Sequence, residues 1–267
     1  MIRTEVRDGV FFWITLDEPG ALNAMDPESM AALADAWVRY RDDDDLLVAV
    51  VTGAGEKSFT VGSNLKTFIP RLQSGEMDPR DNQEAYMKGS LGPVFKPVVG
   101  AINGDCLGGG TELLTCTDIR IAVPHARFGL PEARWAVFPG GGGTTRLVRQ
   151  IGYARAMDLL LTGRMIPAEE AKEIGLVNEI VEPEGLEARA TAIAEEIAGN
   201  GTLAVRKIKE SAWRQMDLPL EEAYELESEL GVEVFHHAQA KEGMAAFAER
   251  REPDFRDFRR WSRRTAD

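Results

Sequence analysis

Three short segments of the chain are apolar almost without interruption, and they limit the possible folds more than any other feature. They cover residues 46–52, 98–102 and 119–123. A strand with one face in water alternates polar and apolar side chains, whereas a strand covered on both faces is apolar throughout. We therefore predict that the three segments are buried strands of a sheet that is covered on both sides.

Helical patterns alternate with these predicted strands. Asp26 followed by Pro27 is a typical helix start, and apolar residues recur at helical spacing after it through Tyr40. Gly108–Gly110 opens a short helix between the second and third predicted strands. An alternation of strands and helices is typical of α/β folds, in which helices cover a sheet. The sequence therefore predicts an α/β fold class.

The strand pattern ends near residue 183, and only helical patterns follow it. These patterns cover residues 184–198, 202–216, 219–236 and 239–250. We therefore predict two regions: an α/β core that holds the active site over residues 1–195, and a C-terminal helical region over residues 196–267.

The composition fits one sizeable core and argues against two classes of partner. The chain has 267 residues, 44% of them hydrophobic, and a formal net charge of -13. An acidic body repels polyanions, so we predict no nucleic acid and no membrane surface as a main partner. No apolar run approaches the roughly 18 residues that span a membrane. The N-terminus also lacks the long apolar segment of a signal peptide.

The chain has two cysteines, Cys106 and Cys116. Two cysteines are too few for a disulfide framework, and their spacing is not that of a metal knuckle. We interpret them as free thiols in a reducing compartment. Together with the absence of a signal peptide, this predicts a cytoplasmic protein.

Three glycine-rich segments invite comparison with phosphate-binding loops. In the first, Gly53–Ser58, Glu56 stands where a P-loop needs a glycine directly before its lysine. Gly104–Gly110 follows a predicted strand but lacks the G-x-G-x-x-G spacing of a dinucleotide site. Gly140–Gly143 indicates only a tight or closely approached backbone. None of the three predicts a nucleotide site.

The segment Gly104–Gly110 is open to two further interpretations. Glycines at a helix start leave backbone N–H groups that can stabilise an oxyanion. Close packing of the helix on a strand requires glycine equally well. The pattern alone does not decide between these two.

Two glutamates lie near these glycines. Glu112 falls in the first turn of the predicted helix, where acids are common because they face the positive end of the helix dipole. Glu132 follows Pro131 at a predicted bend. Each is unremarkable alone among 44 acidic residues. Sequence spacing does not show that they meet in space.

The chain resembles the enoyl-CoA hydratase (crotonase) superfamily over nearly its whole length. The central matching segments are Lys96–Gly104, Leu107–Leu113, Cys116–Ala122, Ala126–Gly129, Pro131-Glu132 and Phe138–Thr144. Further matches are Ala21–Met25, Phe59–Lys66, Leu161–Arg164, Ala168–Val177, Glu242-Gly243 and Phe247–Arg251. As a set, these segments are highly specific for the superfamily. Its members catalyse varied reactions, so the fold alone does not fix the chemistry.

The resemblance implies a fold and an oligomeric state. The fold is a crotonase-like spiral of ββα units, followed by C-terminal helices that mediate trimers, which often pair into hexamers. It also implies an acyl-CoA thioester as the partner, with coenzyme A as part of the substrate. No permanently bound cofactor and no metal are implied.

The resemblance also assigns roles to residues. The backbone N–H groups of Ser63 and Gly109 match an oxyanion hole for the thioester oxygen. Glu112 and Glu132 match both catalytic glutamates of the hydratases, with Glu112 activating water and Glu132 protonating the α-carbon. The Gly140 backbone matches a group that positions the water. Many relatives that isomerise or hydrolyse lack one of these glutamates, which favours an enoyl-CoA hydratase in fatty acid metabolism and β-oxidation.

The implied coenzyme A site consists of short segments from both regions of the chain. It comprises Ala21, Leu22, Val61, Gly62, Asn64, Leu65, Lys66, Trp135 and Arg250. Lys66 matches a basic position near the phosphates, and Arg250 one that reaches the cofactor from a neighbouring subunit. Lys57 is a further candidate. Arg250 begins a basic tail with Arg251, Arg256, Arg259, Arg260, Arg263 and Arg264, which we interpret as a cofactor or inter-subunit contact.

Some positions depart from the family pattern and leave the acyl group open. Asn64 stands where Asp is usual, and Trp135-Ala136 replaces a commoner Leu-Gly pair. Trp135 either contacts the acyl group or fills the core. Residues 68–83 are predicted to cover the acyl pocket. Two alternative functions remain: an enoyl-CoA isomerase or pathway-specific acyl-CoA dehydratase, and a non-catalytic acyl-CoA-binding scaffold.

Overall fold

Ten strands form two sheets within residues 1–78 and 94–255, the parts of the chain that the computed structural model describes. They are β1 (Ile2–Arg7), β2 (Phe11–Leu16), β3 (Val48–Gly53), β4 (Ser58–Thr60), β5 (Val98–Ile102), β6 (Asp105–Leu107), β7 (Ile119–Ala122), β8 (Arg127–Gly129), β9 (Ile166–Pro167) and β10 (Glu179–Ile180). The larger sheet has the order β1-β2-β3-β5-β7-β10, and the smaller has the order β4-β6-β8-β9. Strands pair in parallel except β1 with β2 and β8 with β9.

The three predicted buried strands are confirmed, and they lie side by side in the larger sheet. They correspond to β3, β5 and β7, which pair in parallel register. All five residues of β5 are buried. A parallel sheet must be covered on both faces, which is why these segments lack the polar alternation of a half-exposed strand.

The chain passes repeatedly from the larger sheet to the smaller one. β3, β5 and β7 of the larger sheet are each followed by a strand of the smaller sheet, namely β4, β6 and β8. A helical segment follows each of these strand pairs. This repetition is the predicted succession of ββα units, and it confirms the α/β fold class.

The helices supply the outer layers and the C-terminal region. They are α1 (Pro27–Asp42), α2 (Leu65–Gln73), α3 (Gly109–Leu114), α4 (Gly143–Ile151), α5 (Tyr153–Thr162), α6 (Ala168–Glu173), α7 (Leu186–Ala198), α8 (Thr202–Arg214), α9 (Leu220–His236) and α10 (Ala238–Glu249). Short 3-10 helices occur at Pro19–Ala21, Pro131–Trp135, Pro183–Gly185 and Gln215–Asp217. The predicted helices after residue 183 are therefore confirmed, with shifts of a few residues at their ends.

Helix α7 belongs to both of the predicted regions. It packs on β3 and β5 of the larger sheet. The predicted division between residues 195 and 196 falls inside this helix, and the division stays a prediction. Among the described residues, no helix has the length and apolar character needed to cross a membrane.

Tyr40 joins α1 to the sheet. Helix α1 begins as predicted, because the Asp26 side chain accepts a hydrogen bond from the Ser29 N–H. Near its other end, the buried Tyr40 ring stacks on Phe12 of β2. Its hydroxyl lies 2.6 Å from the carbonyl oxygen of Pro97 and 3.1 Å from that of Leu47. The hydroxyl thus links α1 to the segments that lead into β3 and β5.

Replacing Tyr40 by Phe should therefore lower the free energy of unfolding. The ring would keep its packing, but the buried carbonyls would lose a donor, at a cost of about 1–2 kcal/mol. Urea unfolding measures this difference. Tyr153→Phe is the matched control, because Tyr153 is exposed and its hydroxyl is in reach of water. Equal stability of the Tyr40→Phe protein and the wild type would contradict the proposed role of the hydroxyl.

Candidate active site

Two glycine segments approach each other where the smaller sheet meets α3. Gly62 follows β4, and Gly109 is the first residue of α3. Gly62 has a φ of +84°, and a Cβ atom on it would lie 2.5 Å from the Gly109 backbone nitrogen. Only glycine permits both this backbone conformation and this approach. The close approach places Ser63, the next residue, beside the start of α3.

Backbone bonds hold Ser63 from both sides. The Met25 N–H donates to the Gly62 carbonyl at 2.8 Å, and the Asn64 N–H donates to the Met25 carbonyl at 2.7 Å. The Gly109 N–H belongs to the first turn of α3, where N–H groups have no acceptor within the helix. The structure thus brings together the two predicted oxyanion-hole residues. Their role as donors stays a prediction.

Glu112 projects from α3 into the interior. Only 4% of its surface is exposed. Its Oε1 atom accepts a hydrogen bond of 2.8 Å from the Gly143 N–H at the start of α4. This bond fixes the orientation of the carboxylate. It also links α3 to the glycine segment that precedes α4.

Glu132 lies in the 3-10 helix Pro131–Trp135 and faces the same glycines. A Cβ atom on Gly108 would lie 3.3 Å from its Oε1 atom, so the carboxyl group rests against the start of α3. Its Oε2 atom is buried and has no hydrogen-bond partner within residues 1–78 and 94–255. A buried carboxyl oxygen without a donor disfavours the charged form of the group.

The pKa of Glu132 reflects this environment. Burial raises the pKa of its carboxyl to about 7, a bond from its own backbone N–H opposes the shift, and the charge of Glu112 adds to it. The two glutamates therefore meet in one site, as predicted, but in different surroundings. One has a donor fixed on its carboxylate, and the other is suited to hold a proton near neutral pH.

Most of the predicted coenzyme A residues of the core lie in two neighbouring segments, 21–22 and 61–66. The Val61 N–H bonds to the Leu22 carbonyl at 3.3 Å, which brings Ala21 and Leu22 next to the segment after β4. Leu65 and Lys66 begin α2 and are exposed. Asn64, which departs from the usual Asp, caps α2 by accepting a bond from the Lys66 N–H at 3.2 Å. The departure thus keeps the capping function of the position.

Other predicted residues lie elsewhere or are not placed. Arg250 ends α10 with a left-handed φ of +56° and is exposed, and its contact with a cofactor stays a prediction. Arg256 and the arginines after it lie outside the described residues. Of the predicted pocket cover, residues 79–83 also lie outside them.

Trp135 is not a core residue. It is 72% exposed, as is Phe138 three residues later. Both follow Glu132 closely, and the Val137 N–H bonds back to the Glu132 carbonyl at 3.0 Å. Two large aromatic side chains therefore stand on the surface beside the acid pair.

One residue at the site was not found from the sequence. Gly140 was the predicted water-positioning residue, but the N–H that bonds to Glu112 belongs to Gly143. The role predicted for Gly140 stays a prediction. The signal for Gly143 was its place as the last of four glycines directly before a helical pattern, where its N–H has no acceptor within the helix.

Comparisons with known proteins identify the family of the chain. The profile of the family Enoyl-CoA hydratase/isomerase matches residues 6–259. An enoyl-CoA hydratase of Mycobacterium tuberculosis is 40% identical over 94% of this chain and 95% of its own length. An (E)-benzylidenesuccinyl-CoA hydratase of Thauera aromatica is 44% identical over 91% of this chain and 94% of its own.

A solved structure gives the same result at the level of the fold. The crystal structure of an enoyl-CoA hydratase from Bacillus anthracis superimposes with a TM-score of 0.87 at 36% identity, covering 95% of this chain and 98% of that one. The family profile and the identity to these relatives show that the chain belongs to the enoyl-CoA hydratase/isomerase family.

Proposed function

We propose that this protein is an enoyl-CoA hydratase, a hydro-lyase that adds water reversibly to a trans-2-enoyl-CoA and gives a 3-hydroxyacyl-CoA. The observation that carries this proposal is that the two glutamates of the site have different surroundings. Glu112 is held by the Gly143 N–H, and Glu132 is buried beside Gly108 with a raised pKa. Water addition needs a base and an acid at once, whereas an isomerase moves a proton with a single acid/base group.

The proposed reaction uses four groups of the chain. The thioester oxygen accepts hydrogen bonds from the N–H groups of Ser63 and Gly109. Glu112 takes a proton from water as the water oxygen bonds to the β-carbon. The π electrons of the double bond move to the α-carbon and the thioester oxygen, and Glu132 gives its proton to the α-carbon. One such backbone donor typically contributes about 3 kcal/mol to stabilisation of the transition state.

The proton balance of the pair explains reversibility. Hydration starts with Glu112 ionised and Glu132 protonated, and it ends with the proton on Glu112 instead. Dehydration starts from that second state and returns the pair to the first. Both directions therefore use a pair that holds one proton in total. The chemistry draws on no metal, because the two N–H groups take the place of a Lewis acid.

The acyl group remains to be identified by experiment. A mass-spectrometric screen of acyl-CoA panels for gain or loss of water is the direct test. The panel should include crotonyl-CoA, longer chains and aryl enoyl-CoAs, because Trp135 and Phe138 present aromatic surface beside Glu132. A relative named for an aryl substrate supports including the aryl compounds. Double-bond migration without water addition would favour the isomerase alternative.

We further propose self-association to a trimer or hexamer, a cytoplasmic location and a role in β-oxidation. Exposed apolar side chains on the last helices support the self-association. They include Ile208, Trp213, Tyr224, Val232, Phe235, Met244 and Phe247. A single chain gains nothing from exposing these side chains together, whereas copies of the chain can bury them. Lys57, Lys66 and Arg250 are the proposed contacts for coenzyme A phosphates.

Replacing either glutamate by Gln should abolish most hydration while the thioester still binds. Each substitution keeps the shape but removes one proton-transfer function, which typically contributes about 10²- to 10⁴-fold. Hydration of an accepted enoyl-CoA gives the rate, and calorimetry with a saturated acyl-CoA gives the binding. Glu169→Gln, an exposed acid at the start of α6, is the control. Near-normal turnover of the Glu112→Gln or Glu132→Gln protein would contradict the assignment.

The pH dependence of kcat/KM should have the same form in both directions. The pKa of Glu132 is raised to about 7, so above pH 7 Glu132 loses its proton and the pair no longer holds the one proton that the reaction needs. At higher pH, kcat/KM should therefore fall about tenfold per pH unit. Hydration and dehydration should fall together, since the reaction neither releases nor consumes a proton. Initial rates from pH 5 to pH 9 test this, and a flat profile up to pH 9 would contradict it.

Replacing Gly62 by Ala should separate the two predicted oxyanion donors. Its Cβ would push against the Gly109 nitrogen, so we expect a loss of about 100-fold or more in kcat/KM. Gly9→Ala is the matched control, because Gly9 has a similar φ of +72° but open space around it. Both variants should lose about 1–2 kcal/mol of stability from backbone strain. Equal activity of the two variants would contradict the proposed role of the close approach.

A further inference from the structure

The side chain of Arg146 in α4 extends back over residues Gly140–Gly143, the glycine segment that leads into this helix, and reaches α3. Its Nε atom donates to the Thr115 hydroxyl at 3.0 Å, and Nη2 donates to the Glu112 carbonyl at 3.2 Å. Nη2 also donates to the Gly141 carbonyl. One guanidinium therefore bonds to two residues at the end of α3 and to one in the glycine segment.

The glycine segment is built to admit this guanidinium. A Cβ atom on Gly142 would lie 2.6 Å from the Nη1 atom of Arg146. Any other residue at position 142 would therefore displace the guanidinium. Gly142 has a φ of +102°, which also favours glycine. Position 142 thus favours glycine for two reasons, and the missing Cβ leaves the space that the guanidinium occupies.

Arg146 bonds to the main chain on both sides of the hydrogen bond that joins the Gly143 N–H to Glu112. On one side, Arg146 holds the main chain of Glu112 itself. On the other side, it holds Gly141, two residues before Gly143. The 2.8 Å bond from the Gly143 N–H to Glu112 Oε1 therefore lies between two points that one side chain connects. A planar guanidinium, with five N–H donors in a fixed geometry, suits this task better than an ammonium group.

The packing of α4 on α3 has a separate support. The Gln150 side chain donates to the Thr115 carbonyl at 2.9 Å, and it is itself held by Arg120 at 2.8 Å. Buried Leu147 and Ile151 place the apolar face of α4 in the core. Removal of the Arg146 guanidinium should therefore loosen the glycine segment and leave the helix in place.

We propose that Arg146 is a positioning residue, which holds the Gly143 N–H at bonding distance from Glu112 and so fixes the orientation of the base. This inference rests on the proposed hydratase function. In the described part of the chain, the charged and titratable groups near Glu112 include Glu132 from the 3-10 helix, Cys116 just after α3 and Arg146 itself. Of these, Arg146 bonds to both the Glu112 main chain and the glycine segment.

Three variants test the proposal through kinetics. Arg146→Met removes all donors at similar length, and Arg146→Lys restores one cation. Arg149→Met is the matched control on the same helix, because its exposed guanidinium bonds to Asp217 and the Thr145 carbonyl instead. We expect kcat for hydration to fall about 10- to 100-fold in Arg146→Met, with KM changed less than about threefold. Arg146→Lys should recover part of kcat, and Arg149→Met should match the wild type.

A second readout separates positioning from general damage to the site. In the proposed mechanism, exchange of the α-proton of a saturated acyl-CoA with deuterated water uses Glu132, Ser63 and Gly109 but no water addition. Arg146→Met should therefore keep exchange within about threefold of the wild type while hydration falls. Equal losses in exchange and hydration would overturn the proposal in favour of a merely structural role. So would hydration within about twofold of the wild type.

Crystal structures of the wild type and Arg146→Met give a readout that does not depend on the reaction. The wild type should show the Gly143 N–H bonded to Glu112 Oε1, and the variant should show these atoms separated by more than about 3.5 Å. Retention of the bond in the variant would overturn the inference whatever the activity. A wild type that adds no water to any enoyl-CoA would instead contradict the proposed function, and the structural comparison would still decide the role of Arg146.

Discussion

The close approach of two backbones, at Gly62 and Gly109, is the constraint on which the rest of the site depends. The missing side chain of Gly62 lets the segment after β4 run directly against the first residue of α3. Ser63 and Gly109 meet for this reason, and the predicted coenzyme A surface at the start of α2 is brought alongside. The parallel pairing of β4, β6 and β8 delivers these segments to one edge of the smaller sheet. The strand pairing determines which segments are neighbours, and the glycine at position 62 lets two of them approach closely.

The two glutamates differ in protonation preference because the backbone groups around their carboxyls differ. Gly143 offers an N–H to Glu112, and a hydrogen bond to a carboxylate stabilises its charged form. Glu132 lies against Gly108, where a Cβ atom would be 3.3 Å from its Oε1, and its Oε2 is buried without a donor among the described residues. Burial then favours the neutral form, and the nearby charge of Glu112 adds to this preference. Chemically identical side chains thus become suited to opposite halves of one proton transfer, and the donors that separate them are backbone groups.

The sequence predicted what depends on local pattern and missed what depends on tertiary register. Continuous apolar runs identified β3, β5 and β7, and Asp26 with Pro27 identified the start of α1, because burial and capping act within a few residues. The meeting of Glu112 and Glu132 followed from family resemblance, since the β6–β8 pairing that brings them together has no local signal. Gly143 was missed for the same reason. Four consecutive glycines look alike in a sequence, and only the start of α4 determines which N–H points toward Glu112.

The turn that carries Glu132 combines a buried carboxyl with exposed aromatic side chains. Trp135 lies in the same 3-10 helix as Glu132, and the Val137 N–H closes the turn by bonding to the Glu132 carbonyl. Exposed aromatic surface at Trp135 and Phe138 is the surface that an acyl group can cover. Covering it would also remove water from the turn, and desolvation is the main cause of the raised pKa of Glu132. In the proposed mechanism, an acyl group on this surface would raise the pKa of Glu132 further and keep its carboxyl protonated until the α-carbon is in place. The departure of Trp135-Ala136 from the family's usual Leu-Gly pair therefore changes the exposed surface beside Glu132, the acid of the proposed mechanism.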